Sequence, residues 1–395
     1  MISDKQWSPL DPEVLIDPAV AHQHLLQQCP VHRCETFDPP FYTLSRYEDV
    51  EAALRDIETF SSQHGQGPRF TEPQGMLCDP PQHNFFRNLL QRWFTPGAIN
   101  ALTPSVTELA NQLLDQALIK DNGFDLHDDF AFPLPVIIIA RMLGVPEQDM
   151  DTFKHWSDVQ VAAMGAEDPR QYATAQSEFH NYMRGLLHER RNQIASAQDT
   201  PDDLLSLVAG ARYPEDDLAP EADALSVLTQ LLVGGNETTT SLITNMVWRL
   251  LEQPQLWQEL LTDRSLVDAA VEESLRYDPP VLGLYRNTTR DITLHDTTIP
   301  AGSKVLINYA AANRDAHSFP EPDRFDLHRD RKRHMSFGLG VHMCIGAPMA
   351  RLEAQIALQV LLERTPALKL AGASERIAPF FLWGRRRLPV TSQAS

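Results

Sequence analysis

Cysteine is scarce, with four in 395 residues at positions 29, 34, 78 and 344. So few in so long a chain make no disulfide framework, and reduced thiols in a cytosolic compartment are the simpler account. Positive charge is also short. Lys and Arg number 34 against 53 Asp and Glu, a net −19, which lacks the basic footprint that nucleic-acid binding needs. Long apolar runs are missing too: the most apolar stretch, Pro133 to Val145, is broken by Pro135 and Arg141 and is too short to span a bilayer. The first residues, Met1 to Pro9, offer neither the basic region nor the apolar core of a secretory signal. No Gly-rich phosphate loop or dinucleotide fingerprint follows a strand, which excludes a fused flavin or nicotinamide reductase. A bilayer-spanning protein is excluded, and a soluble cytoplasmic one is expected.

What remains is ordinary for a large globular chain, 43% hydrophobic and 22% charged, and helical periodicity dominates it. Residues 1–40 read as an arm with a short helix from Pro18 to Gln28, followed by a strand at Phe41–Leu44 and a helix at Tyr47–Arg55. Phe60 to Pro81 is a long loop rich in Ser, Gln, Gly and Pro, and loops of that length inside a domain are usually functional. Helices follow at His83–Trp93, Ile99–Ile119, Phe130–Leu143, Gln148–Met164, Tyr172–Ala197 and Leu204–Val208. The longest spans Pro220 to Glu252, between a helix-starting and a helix-ending proline, and Ser265–Tyr277 is another. Short strands at Ile292–Leu294 and Val305–Asn308 precede a proline-rich meander (313–346 with the cysteine loop) and a last helix to Glu363. No linker composition divides the chain, so 1–395 is expected to be one mainly α domain with small β-sheets.

Two stretches carry chemistry. Phe337-Gly-Leu-Gly-Val-His-Met-Cys-Ile-Gly346 sets one cysteine among three glycines, which lets backbone approach a flat object closely. Val233-Gly-Gly-Asn-Glu-Thr-Thr-Thr240 puts two glycines in the middle of the longest helix, at roughly 1 kcal/mol each against alanine. Such a defect needs a packing or functional reason. Together these stretches resemble the cysteine-ligand loop and the oxygen-binding groove of the cytochrome P-450 family, and the resemblance runs in order from about Cys78 to Ala350.

That resemblance implies a soluble bacterial haem-thiolate monooxygenase with haem b between the long central helix and the cysteine-loop helix. It implies Cys344 as the axial iron ligand, Phe337, Gly338 and Gly234 beside the haem, and a catalytic pair above it. In that pair Thr238 hydrogen-bonds dioxygen and Glu237 relays protons. Asp79-Pro-Pro-x-His83-x-x-x-Arg87 resembles the family's propionate-binding helix, with Arg286 and His342 completing the basic set. Glu273, Arg276 and Arg324 resemble the family's buried structural triad. The substrate pocket would draw on Phe70, Met76, Gln230, Val233, Val281, Leu282, Leu284, Phe381 and Leu382, with residues about 155–180 as a lid. No charged clamp for a carboxylate stands out among them. The substrate would be a small apolar terpenoid, steroid, fatty acid or aromatic. Electrons would come from NAD(P)H through a ferredoxin reductase and an iron–sulfur ferredoxin.

The ferredoxin would dock on a basic patch drawn from Arg92, Arg329, Arg331, Lys332, Arg333, His334 and Arg385–Arg387. Two rival readings are a peroxide-driven oxygenase or isomerase without external reductant and a non-catalytic haem or gas sensor. A cluster of His22, His24, Cys29, His32 and Cys34 fits no compact zinc pattern.

Overall fold

The computed structural model describes residues 7–120, 123–165, 169–213 and 217–392. Its axis is the helix Glu221–Glu252, which starts behind Pro220 and stops one residue before Pro254. Apolar residues occupy most of its turns, so it is buried on several sides, packing against Pro133–Leu143, Ala347–Arg364 and Val267–Tyr277. A single hydrophobic cluster runs from Phe86 to Val390 around it. Burial of that cluster, at roughly 25 cal/mol per Å² of apolar surface, is the main force holding the helices together.

Sequence boundaries fail mainly at prolines. The expected helix Ile99–Ile119 is two helices, Pro96–Asn100 and Thr103–Leu118, because Pro104 can sit only in a helix's first turn. Phe130–Leu143 is instead a π-helical turn, His127–Ala131, followed by Pro133–Leu143, which ends at Gly144 in the left-handed region. The expected lid contains Met150–Gly165 and Ala173–Ala195, with residues 166–168 outside the described residues. Residues 1–6 of the expected N-terminal arm are likewise outside them.

A five-stranded sheet flanks the helices in the order Val31–Cys34, Phe41–Leu44, Lys304–Ile307, Leu284–Thr288, Phe60–Ser61. The Phe41–Leu44 to Lys304–Ile307 pairing is parallel and the others antiparallel. Strand Leu284–Thr288 has no strong alternation in the sequence, since all but its first residue are buried. Its register places Arg286 opposite Val305, inside the molecule.

The meander is locked to helix Val267–Tyr277 through Glu273. That carboxylate accepts from Arg276 at 2.7 and 2.8 Å and from the Asp326 N–H at 2.9 Å. The third member is Arg329, whose Nε lies 3.1 Å from both Glu273 oxygens. Arg324, the expected partner, is 62% exposed and reaches only Glu321 at 3.4 Å. Its backbone carbonyl is what the clasp uses, accepting from both Arg276 and Arg329. The meander turns back on itself between Pro320 and Arg329, so the arginine five residues later points inward.

Candidate active site

The cysteine loop is shaped by its glycines. Gly338 and Gly340 have φ of +65° and +70°, a left-handed region that other residues avoid. A Cβ at Gly340 would also lie 2.6 Å from the Leu54 carbonyl oxygen. The loop is closed by the Cys344 N–H, which donates to the Phe337 carbonyl at 2.8 Å. Cys344 then stands three residues before the start of helix Ala347–Arg364, as a free thiol exposed to an internal cavity. Burial raises its pKa, opposed by the Gly346 and Ala347 N–H groups and by Arg87 and Arg351. Donors aimed at a sulfur from a helix N-terminus temper a negative charge there.

Across that cavity of about 120 Å³ lies the central helix, presenting Gly234, Gly235, Thr238 and Thr239. Thr238 Oγ1 donates to the Gly234 carbonyl at 2.8 Å. A Cβ at Gly234 would meet nothing within 4 Å, whereas one at Gly235 would lie 3.3 Å from Ile139. Thus Gly234 serves the cavity and Gly235 serves close helix packing. Glu237 is buried, with burial lifting its carboxyl to about 7 against the opposing influence of His127 and a hydrogen bond from Ser241 at 3.1 Å. Half-protonated near neutrality, it can take up or release a proton under ordinary conditions.

Basic groups gather at the same edge. His83 and His342 stack edge to face with centroids 4.4 Å apart, and burial lowers both pKa values. Arg87 donates to the Met343 carbonyl. Arg286 is 3% exposed, its Nη1 donating only to the neighbouring Tyr285 carbonyl, and among the described residues no carboxylate pairs with it. A buried guanidinium without an anion is costly. A flat group carrying a thiolate-seeking metal at its centre and two anionic arms at one edge fits this arrangement of thiol, glycine-faced helix and basic rim. These donors therefore suit an iron porphyrin.

A larger cavity of about 830 Å³ opens on the other side of Thr238. Among the expected substrate contacts, Gln230, Val233, Val281, Leu284, Phe381 and Leu382 line it, and Met76 lines the smaller one. Two do not. Phe70 is 49% exposed, lying against His64 and under the Lys304 ammonium. Leu282, whose N–H donates to the Phe381 carbonyl, lies instead in small pockets beside Pro18 and Trp7. The mouth holds what the sequence hid: Glu72, His180 and an Arg184–Glu221 pair at 2.8 Å. The long loop is fastened to the central helix where Gly75 N–H donates to Asp223, Met76 N–H to Gln230 Oε1, and Gln82 to Asp223.

A second missed residue is Glu353, buried on helix Ala347–Arg364 and lining the cavity beside Cys344, its carboxyl raised by burial to about 8. Only its position nine residues after the cysteine marks it in the sequence. The expected basic patch is dispersed. Arg329 and Arg385 are internal, Arg386 pairs with Asp128, Arg387 with Glu375, and Arg331 with Asp268. Among the described residues no three His, Cys, Asp or Glu side chains converge as a metal site. No helix among them is long and apolar enough to cross a membrane.

The model of the family described as Cytochrome P450 matches residues 20–366. The vitamin D(3) 25-hydroxylase of Pseudonocardia autotrophica is 37% identical over 95% of this chain and 94% of its own length. The mycinamicin IV hydroxylase/epoxidase of Micromonospora griseorubida is 38% identical over 84% of this chain and 85% of its own. Among solved structures, CYP109E1 from Bacillus megaterium in complex with testosterone superposes with a TM-score of 0.86. It is 29% identical and covers 98% of this chain and all of that one.

Proposed function

The chain belongs to the cytochrome P450 family of haem-thiolate monooxygenases, and from that premise we propose a specific assignment of its residues and its substrate. Bound haem would supply activation of O2, with a cysteine thiolate tuning the iron's reactivity. Cys344 is the ligand, its charge moderated by the Gly346 and Ala347 N–H groups. Arg286, Arg87, His83 and His342 would hold the propionates, while Phe337 and Gly338 would flank the group beside Cys344. Gly234 leaves room in the cavity across from Cys344, where O2 would be taken up. Thr238 offers a hydroxyl to the oxygen site, and Glu237 delivers protons to it from a carboxyl poised near neutrality.

The observation that carries the substrate reading is the 830 Å³ cavity, apolar around Val233, Val281, Leu284 and Phe381. That volume lies near the top of the range for small-molecule sites and fits a bulky, largely apolar ring system. The charged mouth at Arg184, Glu221 and Glu72 suits a polar substituent on its outer end. A steroid-like or macrocyclic secondary metabolite matches both features, and the product is its alcohol or epoxide. Electrons come from NAD(P)H through a ferredoxin reductase and ferredoxin, in the cytoplasm. The test is a screen of steroids and macrolides for the spin-state shift that follows displacement of iron-bound water, then product analysis in a reconstituted system. A linear fatty acid giving the tightest shift would refute the substrate class. Absence of the far-red-displaced Soret peak in the reduced carbon monoxide complex would refute Cys344 ligation.

A further inference from the structure

Glu237 is buried, and nothing in the reaction itself explains how protons reach it from outside. On one flank the π-helical turn His127–Ala131 lies against the central helix, where Thr240 Oγ1 donates to the Ala131 carbonyl at 3.2 Å. On another, Gly384 presses so closely that a Cβ there would lie 2.0 Å from Ser241 Oγ, the hydroxyl that donates to Glu237. Helix Met150–Gly165 completes the wall, with Ser157 accepting from Asn236 at 2.5 Å. Three charged or titratable groups from these elements act on Glu237: His127 from the turn, Arg386 from the C-terminal strand and Asp158 from the helix.

Of these, His127 is placed as a conduit. Its ring is 2% exposed and stacked on Phe132, and its Nε2 has no hydrogen-bond partner. Such an orphaned buried nitrogen needs a reason. Its other nitrogen, Nδ1, lies 2.7 Å from Asp128 Oδ1 and 3.3 Å from Arg386 Nη1. Asp128 can accept when Nδ1 holds a proton, and Arg386 can donate when it does not. Both partners are open to water, Asp128 at 59% and Arg386 at 47% exposure. Nδ1 is therefore satisfied in either protonation state, which suits a group that passes protons on.

We propose that His127, with Asp128 and Arg386 as its solvent-facing partners, is the positioning residue through which protons enter the buried site to reach Glu237. The idea rests on the assignment of Glu237 given above. In one transfer a proton from solvent bonds Nδ1 while the Nε2–H bond breaks; since Nε2 has no hydrogen-bonded partner, a water between the two groups takes that proton and gives one of its own to Glu237, where an O–H bond forms. Rotation of the ring or exchange with water restores the first tautomer, and no electron moves. The competing route runs through the large cavity, which Glu237 also borders.

Proton access is measured on the haem-loaded, substrate-free enzyme by infrared spectroscopy after a pH jump, with the Glu237 carboxyl band identified by its loss in Glu237→Gln. His127→Gln is expected to slow the band's response about tenfold, an order below the loss typical of a direct acid because His127 acts through another group. It should also move the midpoint upward, since the lowering influence of His127 on that carboxyl is removed. Asp128→Asn, on the surface, should slow the response in the same direction and decides the matter if His127→Gln does not fold. Unchanged rate and midpoint in whichever variants fold would mean that protons come through the cavity, and the inference fails. Haem-thiolate ligation is read separately, from the carbon monoxide spectrum of the same samples.

Discussion

Replacing Arg329 by alanine should destabilise the protein far more than replacing Arg324. Arg329 is 11% exposed, holds both oxygens of a Glu273 carboxylate that is itself 4% exposed, and also donates to the carbonyls of Pro320, Glu321 and Arg324. Its loss leaves Glu273 neutralised by Arg276 alone and the Pro320 and Glu321 carbonyls without a charged donor, the Arg324 carbonyl keeping Arg276. Removing one partner of such a buried pair costs about 3–5 kcal/mol, and the surviving Arg276 favours the lower end. Arg324 loses only an exposed 3.4 Å contact with Glu321, worth about 0–1 kcal/mol. Urea unfolding of the haem-loaded protein, followed by the Soret band, should place the Arg329→Ala midpoint about 1 M below the parent. Arg324→Ala should nearly coincide with the parent. Equal losses in the two variants, or a larger one for Arg324→Ala, would refute the clasp as described.

Glu353 and Glu237 both have folded pKa values above the usual carboxylate range, at about 8 and 7. The folded state then binds more protons than the unfolded one, so their contribution is complete below about pH 4.5 and is lost as pH rises toward 8. Glu353→Gln should flatten the fall in stability between pH 5 and 8, which follows about 1.4 kcal/mol per unit for each such group; an unaltered slope in denaturant titrations would contradict the burial argument. Gly234→Ala should stabilise the fold by about 0.5–1 kcal/mol through helix propensity while narrowing the cavity, read as a higher urea midpoint with weaker binding of bulky ligands. Arg286→Gln should speed haem transfer to apomyoglobin about ten- to a hundredfold, because a charged hydrogen bond contributes about 1.5–3 kcal/mol.

Local pattern was readable where local physics decides. The helix Tyr47–Arg55 and the strands Phe41–Leu44 and Ile292–Leu294 stand at the residues expected from periodicity. The cysteine loop and the glycine-bearing stretch of the long helix, which runs unbroken through Gly234 and Gly235, were legible because each motif lies in contiguous residues. Arg329 was misread as surface charge because nothing near it in the sequence says that the meander folds back to Glu273. Glu353 and His127 were passed over for the same reason: the first matters because its helix turn faces the cavity, the second because a turn 110 residues before Glu237 packs beside it. Phe70 and Leu282 share the apolar character of the true lining, and only the direction of each side chain separates them.

The fastenings between the long loop and the central helix limit how a bulky guest can arrive. Asp223 and Gln230 pin the loop's later half at Gly75, Met76 and Gln82, so that half cannot swing outward without breaking several bonds at once. On this side admission depends on Gly67 to Pro73 yielding, between Gln66, held by the Tyr285 N–H, and the pinned later half. Large molecules should therefore associate slowly at a rate nearly independent of their final affinity, and cutting the Gln230 tether should quicken arrival more than it weakens residence.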